Sequence, residues 1–226
     1  MQRTIIIVAG GSGIRMGSKI PKQFLELHGK PVLMHTIERF LQYDGEMDII
    51  LVLPVEQVPL WDKLCIRHKF KIKHQVAFGG ETRYHSVRNG LALAVPGSLV
   101  GIHDGVRPLV SLSTIRRCFE TAEMEGNAIP ALTSSESVRY IKNSQNHFVA
   151  RQDIKLIQTP QVFQWNQVQN AYDQPYRERF TDDASVVESM GFSVNLIAGN
   201  PENIKLTTPL DMKIAEFLMS LEESSI

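Results

Sequence analysis

Five short, nearly continuous apolar runs punctuate the first 132 residues, and segments of helical period separate them. The runs are Thr4–Ala9, Asp48–Leu53, Lys73–Phe78, Leu99–His103 and Ala128–Leu132. They are rich in Ile, Val and Leu without strict alternation, the pattern of strands covered on both faces. Between them lie Val32–Gln42, Pro59–Phe70, Arg83–Ala94 and Ser113–Glu125, each with apolar residues spaced near the helical repeat. This βαβ repetition predicts an α/β fold, a doubly wound, mostly parallel, Rossmann-like sheet. No linker interrupts the pattern, so residues 1–226 are expected to form a single domain.

The rhythm breaks after Leu132. A polar stretch, Thr133 to Ser137, precedes two β-branched and aromatic arms, Val138–Ile141 and His147–Ala150, which predict a hairpin protruding from the main sheet. Helical patterns resume at Asn166–Ala171 and Asp182–Ser189, and a strand is expected at Phe192–Ile197. The last helix has clear start signals: Thr208 as N-cap, Pro209 at the first position and Asp211 in the first turn.

Bulk properties exclude several classes. The 24 basic residues balance the 24 acidic ones, which argues against an extended nucleic-acid surface. The N-terminal run Ile5–Ala9 is too short for a signal h-region or a membrane span, and a cytoplasmic protein is expected. Cys65 and Cys118 sit far apart inside helical patterns and read as two reduced core thiols.

In parallel α/β sheets, ligands bind beyond the carboxyl ends of strands. The first such end is Ala9, followed by Gly10, Gly11, Ser12 and Gly13, with Arg15 and Lys22 close behind. Glycines there let the backbone approach a ligand and offer N–H donors to phosphates. Two rival loops fail on spacing. No Gly-Lys-Ser/Thr triplet completes a P-loop, and Met16 stands where a dinucleotide fingerprint needs a third glycine or alanine. Further motifs follow in order: Pro21-Lys-Gln-Phe-Leu25, Gly79-Gly-Glu-Thr-Arg83 with Ser86, His103-Asp-Gly-Val-Arg-Pro108, Gln158-Thr-Pro-Gln161, Thr181-Asp-Asp-Ala-Ser185 and Asn203-Ile-Lys-Leu-Thr207.

That ordered set resembles the nucleotidyltransferases that activate sugar and polyol phosphates. It is most similar to the cytidylyltransferases of the 2-C-methyl-D-erythritol 4-phosphate family, which serve non-mevalonate isoprenoid biosynthesis. The resemblance implies attack by a phosphate monoester oxygen on the α-phosphorus of CTP, with loss of pyrophosphate. The nucleophile is already anionic near neutrality, its second pKa being about 6, so no general base is required. What the reaction needs is positioning and fixed cations, with Mg²⁺ or another divalent cation carried mainly by the CTP phosphates.

By the same resemblance, Arg15, Lys22 and Lys205 are the catalytic cations. Ala9, Gly10, Gly11, Gly13, Gly80, Glu81, Arg83, Ser86, Asp104 and Gly105 bind the nucleotide. Asp104, Arg107, Thr181, Lys205 and Thr207 hold the acceptor. Residues 133–153 form an arm that embraces a second subunit, with Ser137 and Arg151 reaching the partner's substrate phosphate. The Val8-Ala-Gly-Gly11 loop and the Gly105-Val106 pair depart from the family's usual alanines. The Ala-Gly-Gly form is frequent in the ribitol-5-phosphate cytidylyltransferases, which stay open as an alternative, as does a non-catalytic nucleotide-binding module. Plainer readings stand beside several roles. Thr181 serves equally well as an N-cap, Asp182 and Asp183 as helix-dipole partners, Thr82 or Glu81 as a cap, and His103 as a packed strand residue.

Overall fold

The computed structural model describes residues 1–10 and 20–223. In chain order the elements are β1 (Arg3–Val8), β2 (Glu26–Leu27), β3 (Lys30–Pro31), α1 (Val32–Tyr43), β4 (Asp48–Leu53), α2 (Val58–Arg67), β5 (Gln75–Phe78), α3 (Arg83–Leu91), β6 (Leu99–Asp104), α4 (Leu112–Glu125), β7 (Asn127–Thr133), β8 (Val138–Lys142), β9 (Gln145–Val149), β10 (Lys155–Ile157), β11 (Gln161–Gln164), α5 (Trp165–Tyr172), α6 (Asp183–Glu188), β12 (Leu196–Ala198) and α7 (Pro209–Glu223).

The main sheet runs β10-β7-β11-β6-β1-β4-β5, with β12 paired to β7. Strands β6, β1, β4 and β5 are mutually parallel, as the apolar runs predicted. Strand β11 lies antiparallel between β6 and β7, and β10 is antiparallel on the far side of β7. Neither β10 nor β11 was anticipated, because each is only three or four residues long and Pro160 separates them. The strand expected at Phe192–Ile197 instead occupies Leu196–Ala198.

Both faces of the sheet are covered. Ile5, Ile7 and Leu51 pack beneath α1, α2 and α4, while Ile6, Ile50 and Val52 pack against α3, α5 and α6. Successive strand residues point to opposite faces, so a continuous Ile/Val run serves two cores at once. A third cluster joins Val106, Leu109 and Leu206 to Ala215 of α7. The start of α7 is reciprocally capped as expected. The Asp211 amide donates to Thr208 Oγ1 at 3.2 Å and the Thr208 amide to Asp211 Oδ2 at 2.7 Å.

Among the described residues, strands β8 and β9 pair with each other and with no other strand. Tyr140, Ile141 and Phe148 on this hairpin are exposed. Cys118 is buried, but Cys65 is only half-buried, which corrects the expectation of two core thiols. Overall neutrality also hides a basic strip: Arg67 at the end of α2 and Lys69, Lys71 and Lys73 before β5 are all exposed.

Candidate active site

The parallel register sets Val8 beside both Asp104 and Val52, and Leu53 beside Phe78, so the carboxyl ends of four strands form one edge. From β1 the chain winds to β4 on one side and later lays β6 on the other. The crevice between the ends of β1 and β6 is therefore a topological switch point, where open α/β sheets bind ligands.

Two clefts open there. The first, of about 330 Å³, takes Ala9 and Gly10 from the end of β1, Lys22 from the turn before α1, Gly80 to Arg83 and Ser86 from the start of α3, and Asp104 and Lys205. The second, of about 320 Å³, takes Arg107, Ile157, Thr159, Gln161, Thr181 and Asp182 on its outer side. Arg83, Asp104 and Lys205 line both clefts and form the wall between them.

Local chemistry explains how each wall is built. The Ala9 amide donates to Val52 O at 2.9 Å, and its carbonyl accepts from Gln23 Nε2 at 2.7 Å. Gln23, whose role was not foreseen, thereby ties the Pro-Lys-Gln motif to the end of β1. At the start of α3, Thr82 is the N-cap. The Gly80 amide donates to Ser86 Oγ at 3.0 Å, and that hydroxyl donates to Thr82 O at 3.0 Å. A Cβ on Gly80 would lie 2.5 Å from His85 Cβ, so only glycine lets this turn close.

Asp104 is the electrostatic centre. Its carboxylate is 3.0 Å from Lys205 Nζ, 3.2 Å from Arg107 Nε and 3.8 Å from Arg83 Nε. Burial alone would raise its pKa, but Arg83, Lys205 and Arg107 override that and hold it well below the usual carboxylate range. Arg107 also donates to Asn203 O at 2.7 Å, which ties the β6 end to the segment carrying Lys205.

His103 is fully buried, as the packed-strand reading expected, and does not line either cleft. Burial pushes its pKa down to about 4, so it is neutral near pH 7. Its bonds then have one consistent direction. The Asp104 amide donates to Thr159 Oγ1 at 3.2 Å, Thr159 donates to His103 Nδ1 at 2.9 Å, and His103 Nε2 donates to Arg107 O at 3.1 Å. The Gln158-Thr-Pro-Gln motif thus props the Asp104–Arg107 turn from below. Its position between two unanticipated strands is why no role could be read from sequence.

Several expectations change. Gly105 is not on either cleft wall; its amide donates to Val8 O and its carbonyl accepts from Thr36. A Cβ there would sit 2.9 Å from Ala9 Cβ and 3.0 Å from Leu33 Cδ1, so it is a packing glycine. Thr207 lines neither cleft, and its hydroxyl donates to Asp211 Oδ2 at 2.9 Å as part of the α7 cap. Thr181 lines the second cleft but is not the cap of α6; Asp182 is, in a capping box with Ser185. Asp183 stands in the first turn of α6, where the dipole reading put it, but not at the surface. It is fully buried and takes a two-point ion pair from Arg83. Ser137 and Arg151 are exposed and line neither cleft within one chain. Gly11, Gly13 and Arg15 lie outside the described residues.

A profile of the family described as "IspD: 2-C-methyl-D-erythritol 4-phosphate cytidylyltransferase" matches residues 4–221. The chain belongs to this family. It is 54% identical over 219 residues to the 2-C-methyl-D-erythritol 4-phosphate cytidylyltransferase of Bacteroides thetaiotaomicron, covering 97% of this chain and 100% of that one. The protein of the same name from Bacteroides fragilis is 55% identical over the same span. Among solved structures, the 4-diphosphocytidyl-2C-methyl-D-erythritol synthase of Anaerococcus prevotii superposes with a TM-score of 0.82 at 27% identity, over 97% of this chain and 96% of that one. The Thermus thermophilus 2-C-methyl-D-erythritol 4-phosphate cytidylyltransferase gives 0.78 at 27% identity, over 97% and 100%. Family membership extends from β1 into α7, so both clefts and their shared wall lie within the cytidylyltransferase region.

Proposed function

We propose that the chain joins CTP to 2-C-methyl-D-erythritol 4-phosphate, giving 4-diphosphocytidyl-2-C-methyl-D-erythritol and pyrophosphate. The observation that carries this reading is the pair of clefts sharing one wall of Arg83, Asp104 and Lys205. Two anionic substrates must meet in line, and a cation-rich partition lets each be held from its own side. In the first cleft the turn at Gly80 and Ser86 would face the base, Asp104 the ribose, and Lys22 with Gly10 the triphosphate; Gly11, Gly13 and Arg15, outside the described residues, are assigned to the same triphosphate by the family resemblance alone. In the second, Arg107, Thr181 and Lys205 hold the acceptor. An acceptor phosphate oxygen forms a bond to the α-phosphorus as the α–β bridging bond breaks, and the electron pair leaves with pyrophosphate. Lys22 and Lys205 stabilise the charge that gathers at the α-phosphate.

A divalent cation such as Mg²⁺ would add charge neutralisation. Among the described residues no group of three His, Cys, Asp or Glu side chains converges, and Asp104 is already engaged by three cations. Such an ion would therefore be bound mainly by the phosphates of CTP. The choice of a methylated acceptor over ribitol phosphate is supported by Ile157, the apolar residue on the otherwise polar second cleft. Its side chain offers a surface to the C2 methyl group, which ribitol lacks.

A homodimer completes the proposal. Tyr140, Ile141 and Phe148 are 56, 62 and 78% exposed on an isolated two-stranded sheet, which would gain by burial against a second copy. Ser137 and Arg151, at the two feet of this arm, would then reach the partner's acceptor phosphate. Among the described residues no helix is long and apolar enough to cross a membrane, and we take the cytoplasm as the place of action. Pyrophosphate release from CTP tests the reading, with methylerythritol phosphate, ribitol 5-phosphate or no acceptor. Release with methylerythritol phosphate is expected. Release with ribitol phosphate alone would replace the acceptor, and none with either would leave a nucleotide-binding module.

A further inference from the structure

Asp183 is completely buried behind the wall between the clefts and lines neither of them. Arg83 grips it at two points, Nη1 to Oδ1 and Nη2 to Oδ2, each at 2.7 Å. The Tyr172 hydroxyl donates to Oδ1 at 2.6 Å, and burial keeps that phenol protonated by raising its pKa. The carboxylate is also fixed through its backbone. Gln161 of β11 donates to Asp182 Oδ2 at 2.9 Å and accepts from the Ala184 amide at 2.8 Å, clamping the first turn of α6 to the sheet. An ordered series results: Tyr172, Asp183, Arg83, Asp104, then Lys205.

Arg83 stands between two carboxylates and is committed to the farther one from the site. Its contact with Asp183 is at 2.7 Å, whereas its Nε stays 3.8 Å from Asp104. Charge attraction at such short range would close that gap if Asp183 lost its charge. Arg83 would then compete with Lys205 and Arg107 for one small carboxylate. We propose that Asp183 is a positioning residue that withholds Arg83 from Asp104, so that Asp104 aims Lys205 and Arg107 at the junction of the clefts. This rests on the reading of those clefts as the CTP and polyol-phosphate sites. No catalytic contact is assigned to Asp183 itself.

The test is steady-state kinetics of cytidylyl transfer, per folded enzyme, beside thermal melts. Asp183→Asn keeps the shape and removes the charge, and should lower kcat by about 10-fold or more with a raised acceptor KM. The KM for CTP should rise less than that for the acceptor, since the turn at Gly80 and Ser86 is untouched. In an Arg83→Gln background the same substitution should cost no more than about twofold, because its route of action is gone. A variant with a lowered melting temperature but wild-type kcat and KM would reduce Asp183 to a structural ion pair and overturn the proposal. So would equal losses with Arg83 present or absent. If Asp183→Asn does not fold, Tyr172→Phe decides. It leaves the ring stacked on Tyr84 and removes only the hydroxyl donated to Asp183. A kcat about threefold lower supports the mechanism, and an unchanged one overturns it. A wild-type chain inactive with every acceptor would overturn the reading of the clefts, and this proposal with it.

Discussion

The Lys205 ammonium lies 3.0 Å from the Asp104 carboxylate, on the wall that both clefts share. Lys205 itself is 41% exposed while Asp104 is 10% exposed, so the carboxylate is the fixed partner and the lysine the one open to the clefts. In the proposed reaction Asp104 would hold a long flexible cation at the point where phosphate charge develops.

Lys205→Ala should therefore be a defect of rate and not of folding. Removing one preorganised charge donor from a transition state costs about 100- to 1000-fold in kcat. An exposed lysine contributes at most about 1 kcal/mol to stability, and Asp104 keeps Arg83 and Arg107. Turnover of CTP with methylerythritol phosphate, set beside a thermal melt, checks this. A variant within tenfold of wild type would remove Lys205 from the chemistry.

Stability should fall on mild acidification because of His103. Its pKa is pushed down to about 4 by burial, against 6.5 for an ordinary histidine. Between those values the unfolded chain binds a proton that the folded chain refuses. The stabilisation is thus complete above pH 6.5, is lost progressively as pH falls to about 4, and changes no further below that. The full loss is roughly 3 kcal/mol from the linkage relation. His35, also depressed by burial, acts in the same direction. Urea unfolding of wild type and His103→Gln at pH 7 and pH 4.5 measures the difference. Identical pH dependence in the two chains would show that His103 does not supply it.

How much could be read in advance depended on the range of the interaction. The parallel strands and their helices were visible because Ile5-Ile-Ile-Val must bury both faces, a property of a few adjacent residues. Asp104, Arg107 and Lys205 could be nominated from motifs, but their convergence required β6 and the segment before α7 to meet across 101 residues. Gln23, Thr159 and Asp183 were missed as supports because each acts on a distant backbone or side chain. Thr207 and Gly105 sit off both cleft walls for the opposite reason. Each is one or two residues from a cleft residue, yet capping geometry turns Thr207 toward Asp211, and the core side of the strand claims Gly105.

Gly105→Ala should destabilise the fold. The new methyl would press on Ala9 Cβ at 2.9 Å, Leu33 Cδ1 at 3.0 Å and Ile7 Cγ2 at 3.3 Å. Leucine can yield a little, but a β-carbon on a buried strand end cannot. Overpacking of this kind costs about 1–3 kcal/mol, or roughly 2–4 °C of Tm per kcal/mol in a chain of this size. Trimming the opposing group in Ala9→Gly/Gly105→Ala should recover part of the loss. A Gly105→Ala chain that melts with the wild type would mean the strand ends can separate freely.

Ile157 should set the preference for a branched acceptor. It ends β10 at 38% exposure and faces a cleft whose remaining walls carry charged, amide or hydroxyl side chains. A methyl group buried against such a surface is worth about 0.8 kcal/mol, and up to about 3 kcal/mol where the fit is close. Wild type should therefore favour methylerythritol phosphate over erythritol 4-phosphate, its desmethyl analogue, by about 4- to 150-fold in kcat/KM. Ile157→Ser removes the apolar wall without touching the cations, so it should lower kcat/KM for the methylated acceptor and leave the desmethyl one nearly unchanged. The ratio of the two acceptors is the diagnostic quantity, because a general disturbance of the cleft would lower both. Equal losses on both acceptors would free Ile157 from any part in specificity and reopen the case for ribitol phosphate.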